Sequence, residues 1–285
     1  MSGMPLSAIL TRGSNNFDLV RIAAAASVII SHAFTQAYGP EAAEPLASVS
    51  VFPLGGHAVN VFFILSGLLV AASLDRAPNL AAFTASRALR IFPGLIVCVL
   101  VVAFLMGPMV SAYSVGDYLA SPDLYAYVVG TMSLAATDGP LPGVFETLPE
   151  AGIVNIPLWT LKYEVLAYVL LTTVAVLGIW RNQLMFWIFI VGLIAFHAAA
   201  EMTHAHPEEH GMVGHLSRFM LCFFIGVVAF RLRERIRLSP GGGIAAALLL
   251  WVTNGTALEE SVVYLAVGYL TFCLAALPMP RLRAL

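Results

Sequence analysis

The chain has 285 residues, 60% of them hydrophobic and only 11% charged, which excludes a soluble globular domain. Its formal net charge is −2 and no basic tract of binding length occurs, so no nucleic-acid partner is expected. The three cysteines, Cys98, Cys222 and Cys273, lie inside apolar runs and form neither a disulfide framework nor a metal-ligand spacing.

The first apolar stretch, 16–34, carries Asp18, Arg21 and His32. Ionisable groups inside a membrane span are costly, and they mark candidate functional sites. Arg21 and His32 stand about 16 Å apart along a helix and within about 20° of one face. The bland reading is a helix start with Arg21 snorkelling to the headgroups and His32 as an interior polar group. No small-residue cleavage pattern follows, so this run is predicted as a first span, 18–38, and not as a secretory signal. A loop at 39–55 has Glu41 and Glu44 but no Lys or Arg, and a second span follows at 57–74. The next loop holds Asp75, Arg76, Arg87 and Arg90, ahead of a third span at 91–111. The segment 112–157 again lacks Lys and Arg. Within it, 124–134 is too short to span and is predicted as an interfacial or re-entrant helix. Further spans are predicted at 158–180, 183–200, 215–230, 241–253 and 261–277. The fold class is therefore all-α: a polytopic transmembrane helical bundle of about eight spans, forming one integral-membrane domain over 1–285.

Charge orients this bundle. The segments before span one and after spans two, four, six and eight hold eleven of the fourteen Lys and Arg. The alternate loops hold none, a positive-inside pattern that places the N-terminus in the cytoplasm. By helical rise, Arg21 lies about 5 Å into the bilayer from the inner side and His32 about 21 Å in. Counted from the outer end of span four, Glu164 lies about 9 Å below the outer surface of a roughly 30 Å core, as does His32. Two titratable groups at one depth suggest a pair. Arg21, Arg87 and Arg90 share the inner face; simple topology determination is the competing explanation for the last two.

Four stretches carry a resemblance. They are F-D-L-V-R-I-A with His32 downstream, A-V-N-V-F-F-I-L-S-G-L-L, R-A-L-R-I-F-P at 87–93, and P-L-W-T-L-K-Y-E-V-L-A-Y at 157–168. In their order and spacing the sequence resembles the membrane-bound acyltransferase-3 family, the polysaccharide O-acyltransferases of bacteria. Asn60 stands where the family has an acidic residue, and Val165 where a second Glu often follows Glu164. The family usually has ten spans, and this chain stops at Arg281-Leu-Arg-Ala-Leu285, where a further helix is expected. The resemblance thus implies a chain that lacks the last two helices.

The resemblance implies transfer of an acyl group, acetyl foremost, from acyl-CoA (acetyl-CoA) to a hydroxyl of a cell-surface glycan such as lipopolysaccharide or of another sugar-containing acceptor, in the bacterial inner membrane. The residues fit that chemistry. A hydroxyl is a poor nucleophile at neutral pH, and an imidazole can take its proton as it attacks, so His32 is the candidate general base. Glu164 would orient the ring or stabilise imidazolium. Arg21, Arg87 and Arg90 are candidate donor-binding groups, because a guanidinium fork suits phosphate. Ser66 is a candidate acyl carrier, against a role in close helix packing with Gly67. Asn60, Trp159, Lys162 and Tyr168 complete the candidate substrate-binding set, although Trp159 also suits an aromatic belt. No metal is expected. The stretch H-A-H-P-E-E-H at 204–210, with Glu201 and His215 nearby, matches no catalytic ligand spacing and reads as a polar loop. The alternative class is a transporter of a lipid-linked or small sugar, but no internal repeat supports it.

Overall fold

Each long apolar run closes its backbone hydrogen bonds within a helix, as a chain without water to bond to must. The structure, a computed structural model, describes residues 3–11, 15–39, 43–77, 79–149, 151–202 and 211–277. Helices α1 (Phe17–Tyr38), α2 (Leu54–Arg76) and α3 (Leu80–Val101) come first. The third continues through a π-helical turn, Val102–Met106, into α4 (Gly107–Val110). Short helices α5 (Val115–Ala120) and α6 (Pro122–Met132) follow. A 3₁₀ turn at Ile156–Thr160 leads into α7 (Leu161–Val176), and then come α8 (Gln183–Met202), α9 (Met212–Arg231), α10 (Pro240–Thr253) and α11 (Glu259–Ala275). Six of these segments are long and apolar enough to cross a membrane, and α10 is a shorter apolar helix. Together with α11 they match the eight predicted spans.

Two boundaries differ from the sequence reading. The third helix begins at Leu80, where Asn79 caps it by accepting the Ala82 N–H at 2.8 Å. Arg87 and Arg90 therefore sit on a helix and not in a loop. The polar lead also contains a strand: β1 (Met4–Pro5) pairs antiparallel with β2 (Arg237–Leu238). Leu6 and Ile9 of the 3₁₀ turn after β1 are fully buried.

The contacts divide the chain into two compact units. Unit 1 comprises 1–29, 45–76 and 182–285. Its centre is the crossing of α2 and α9, where two glycines let the backbones touch. A Cβ on Gly67 would lie 1.8 Å from the Phe223 carbonyl oxygen, and one on Gly226 would lie 2.0 Å from that of Ile64. Such small-residue contacts are how membrane helices gain packing energy when lipid is as apolar as the side chains. Phe63 stacks on Phe219 across the same crossing, with centroids 4.6 Å apart. Ala24 and Val28 of α1 pack against Ala58 of α2.

Unit 2 comprises 30–44 and 77–181. Its core gathers Leu95, Val99, Val102 and Ala103 from the third helix with Tyr118, Leu124, Tyr127, Leu141 and Val144. Tyr118 lies against Gly107, and its hydroxyl donates to the Ala103 carbonyl at 2.8 Å inside the π turn. A π turn leaves such carbonyls open to outside donors. Burial, and then the neighbouring Tyr127, push the Tyr118 phenol up to about 12, so it keeps the proton this bond needs.

Candidate functional site

In unit 2, α7 begins with the predicted carboxylate. Glu164 and Tyr168 are one helical turn apart, so both point to one side, and the Tyr168 hydroxyl donates to Glu164 Oε1. Tyr168 is buried and Glu164 half-buried. Arg87 on α3 lies within electrostatic range of Tyr168, Arg90 and Glu164. Arg87 and Tyr168 both line a cavity of about 310 Å³ between α3 and α7. Its other walls include Ile91, Val169, Thr172 and Val176. The threonine hydroxyls turn back onto their own helix: Thr172 donates to the Tyr168 carbonyl at 2.7 Å and Thr173 to that of Val169 at 2.9 Å. The cavity wall is thus apolar except at Arg87 and Tyr168.

His32 lies in the same unit, half-buried on the C-terminal half of α1. No hydrogen bond joins it to Glu164 among the described residues; Glu164 bonds Tyr168 instead. Around His32 the structure shows a group the sequence reading passed over. Glu44 accepts hydrogen bonds from Ser31 and, at 3.2 Å, from Thr35, the residues one position before and three after His32. Its only sequence signal was an acidic residue in a loop without cations. Gln36, one turn further on, donates to the Ile153 carbonyl at 2.9 Å, tying α1 to the segment ahead of α7. Trp159 and Tyr163 meet edge to face at 5.9 Å, and the Lys162 ammonium lies 5.2 Å from the Tyr163 ring centre. These three residues form one aromatic and cationic cluster at the start of α7, with Tyr163 buried beneath half-buried Trp159 and Lys162.

In unit 1, Arg21 pairs with Asp18 at 3.6 Å. Asn60 is fully buried, and its Oδ1 accepts from Arg218 Nε at 3.0 Å. Arg218 also donates to the Gly56 carbonyl at 2.9 Å and lies 3.7 Å from the centre of the Phe52 ring. Asn60 thus holds a buried arginine in place, in a position where a carboxylate would have formed a buried ion pair. Ser66 is half-buried beside Gly67, whose contact with Phe223 makes this dipeptide a packing element of the α2–α9 crossing. The histidines of 204–210 lie outside the described residues. His197, Glu201 and Glu260, however, bring one ligand atom each within 4.8 Å of one another.

An apolar helical fold with an intramembrane histidine, a tyrosine-bonded glutamate and an arginine beside an apolar cavity is that of a multi-pass membrane protein equipped for polar chemistry. The family model described as "Acyltransferase domain" matches residues 14–285, and the chain belongs to that acyltransferase-3 family. Among curated proteins it is 35% identical over 183 residues to the "O-acetyl transferase" of Shigella phage Sf6, covering 64% of this chain and 51% of that protein. It is 33% identical over 175 residues to "Nodulation protein 10" of Rhizobium leguminosarum bv. viciae, covering 59% and 45%. The chain spans about half the length of these curated relatives. No solved structure matches it.

Proposed function

We propose that the protein is an O-acyltransferase that moves an acyl group, acetyl foremost, from acyl-CoA to a hydroxyl of a cell-surface glycan or another sugar-containing acceptor. The observation that carries this reading is the cavity flanked by Arg87 and Tyr168, with Glu164 bonded to the same tyrosine. An apolar slot with one guanidinium suits a chain that ends in phosphate and carries a thioester. Arg87 and Arg90 bind the donor's phosphates from α3, and Arg21 offers its own fork from α1. His32 is the general base for the acceptor hydroxyl. Glu164, fixed by Tyr168, supplies the negative charge that stabilises the imidazolium as it forms. Trp159 and Lys162, both half-buried at the start of α7, stand on the acceptor side of the proposal. We assign this chemistry no metal. The inner membrane is the assigned location, with the N-terminus cytoplasmic, on the strength of the arginine distribution.

The test is transfer by the purified, reconstituted protein, followed by release of free coenzyme A thiol with a sugar acceptor present. His32→Ala should lower turnover by roughly 10²–10⁴-fold, the contribution of a general base, while donor binding stays near wild type. Turnover retained in His32→Ala removes the assignment. A reporter fused at residue 140 should read outside; an inside signal reverses the topology.

A further inference from the structure

A second polar cluster lies in unit 1 and has no part in the proposed chemistry. His197 and Glu201 are four residues apart on α8, one turn, so they present their ligand atoms on one side. Glu260 enters from the first turn of α11. The three ligand atoms lie within 4.8 Å of one another. We propose that His197, Glu201 and Glu260 form a binding site for a divalent transition metal of the zinc class, with a further coordination position open to water.

Three observations converge on this. The first is the state of the imidazole. Ser217 on α9 donates its single hydroxyl proton to the Gly214 carbonyl at 2.9 Å. Its oxygen therefore receives the Nδ1 hydrogen of His197, 3.2 Å away. That leaves Nε2 as the nitrogen for a metal, and it is the contact to a second polar group that metal-binding histidines usually have. The ring itself is 9% exposed, edge-on to Tyr264 at 5.5 Å, so its orientation is set by packing.

The second is the pair of carboxyls. Glu201 and Glu260 bring carboxylate oxygens within 4.8 Å of each other, and the Tyr264 hydroxyl donates to Glu260 Oε1. Two bare carboxylates at that range repel, so they need a proton or a cation between them. Arg218 lies in electrostatic range of both, but its Nε donates to Asn60 and its Nη2 to the Gly56 carbonyl. It offsets one negative charge from a distance and bridges neither carboxyl. A dication satisfies both at once and releases the shared proton. The third is the ligand set. One imidazole and two carboxylates form a borderline donor set that suits zinc and its neighbours better than calcium or magnesium. Ligand atoms around a tetrahedral zinc lie about 3.4 Å apart, so side-chain rotation of about an ångström closes the site. Binding would pin the end of α8 to the start of α11.

The full chain, purified without a polyhistidine tag and stripped with chelator, is titrated with Zn²⁺ by calorimetry and with Co²⁺ by visible absorption. One equivalent should bind, with a Co²⁺ spectrum of low coordination number. Glu260→Gln, which keeps the shape of the side chain, should weaken binding at least tenfold, and Ser217→Ala about tenfold through the freed imidazole. Replacing His204, His206 and His210 together by Gln should leave binding unchanged. Absence of stoichiometric binding overturns the proposal and leaves a proton-sharing carboxyl pair. So does binding that survives Glu260→Gln or is lost with the histidines of 204–210. Thermal unfolding of each metal-free variant, compared with metal-free wild type, separates lost ligation from lost folding.

Discussion

The two units use buried polarity for opposite ends. In unit 1, Arg218 is enclosed by Asn60, the Gly56 carbonyl and the Phe52 ring, and the α2–α9 crossing is so tight that glycine is required at two positions. In unit 2 the corresponding groups, Arg87, Glu164 and Tyr168, stand at or beside an apolar cavity. A charge buried on partners from its own fold organises that fold. A charge beside empty apolar volume is available to a ligand. An arginine in a span is therefore weak evidence of function until its partners are known.

The largest effect should come from breaking the packing of unit 1. Gly226→Ala places a Cβ 2.0 Å from the Ile64 carbonyl oxygen and 2.6 Å from the Leu68 nitrogen, both backbone atoms that cannot rotate away. The helices must separate, at a cost of more than about 3 kcal/mol. The yield of folded protein in detergent should collapse. The same exchange in unit 2, Gly94→Ala on α3, meets nothing within 4 Å. It should be neutral or stabilise by up to about 1 kcal/mol, because alanine loses less backbone freedom in a helix. Equal thermal stability of the two variants would remove the contrast between the units.

A smaller effect is expected at the cavity. Arg87→Lys keeps the charge but loses the planar fork, so donor KM should rise about tenfold with little change in kcat and none in thermal stability. A fall in stability with donor KM unchanged would make Arg87 a packing residue like Arg218.

The sequence showed the long helices because apolar length alone specifies them in a bilayer. The i,i+4 spacing of Glu164 and Tyr168 was there to read as well, but the sequence reading paired Glu164 with His32 instead. The start of α3 was not legible in the same way: Arg87 and Arg90 read as loop charges, whereas the cap at Asn79 carries the helix past them. Glu44 was illegible for another reason. Its bonds to Ser31 and Thr35 come from beyond the end of α1, where no helical periodicity reaches. The meeting of Glu260 with His197 and Glu201 likewise depends on which helices become neighbours, which one sequence without repeats does not reveal. Local chemistry along a helix can be read from spacing, but chemistry between helices needs the fold.

The smallest predicted effect isolates one hydroxyl. Tyr168→Phe removes the donor to Glu164 Oε1 and leaves the ring that lines the cavity. A hydrogen bond to a charged group contributes about 1.5–3 kcal/mol, but Glu164 is half-buried and water can replace part of that. A loss of about 1 kcal/mol in stability is therefore expected. The more informative readout is kinetic. If the tyrosine fixes the carboxylate that stabilises imidazolium, kcat should fall severalfold while donor KM stays unchanged, since the cavity keeps its shape. If Tyr168 instead binds the donor, KM should rise and kcat should hold. Glu164→Gln should follow Tyr168→Phe in the first case and depart from it in the second. The pair of variants thus decides whether unit 2 uses this hydrogen bond to place a charge or to shape a pocket.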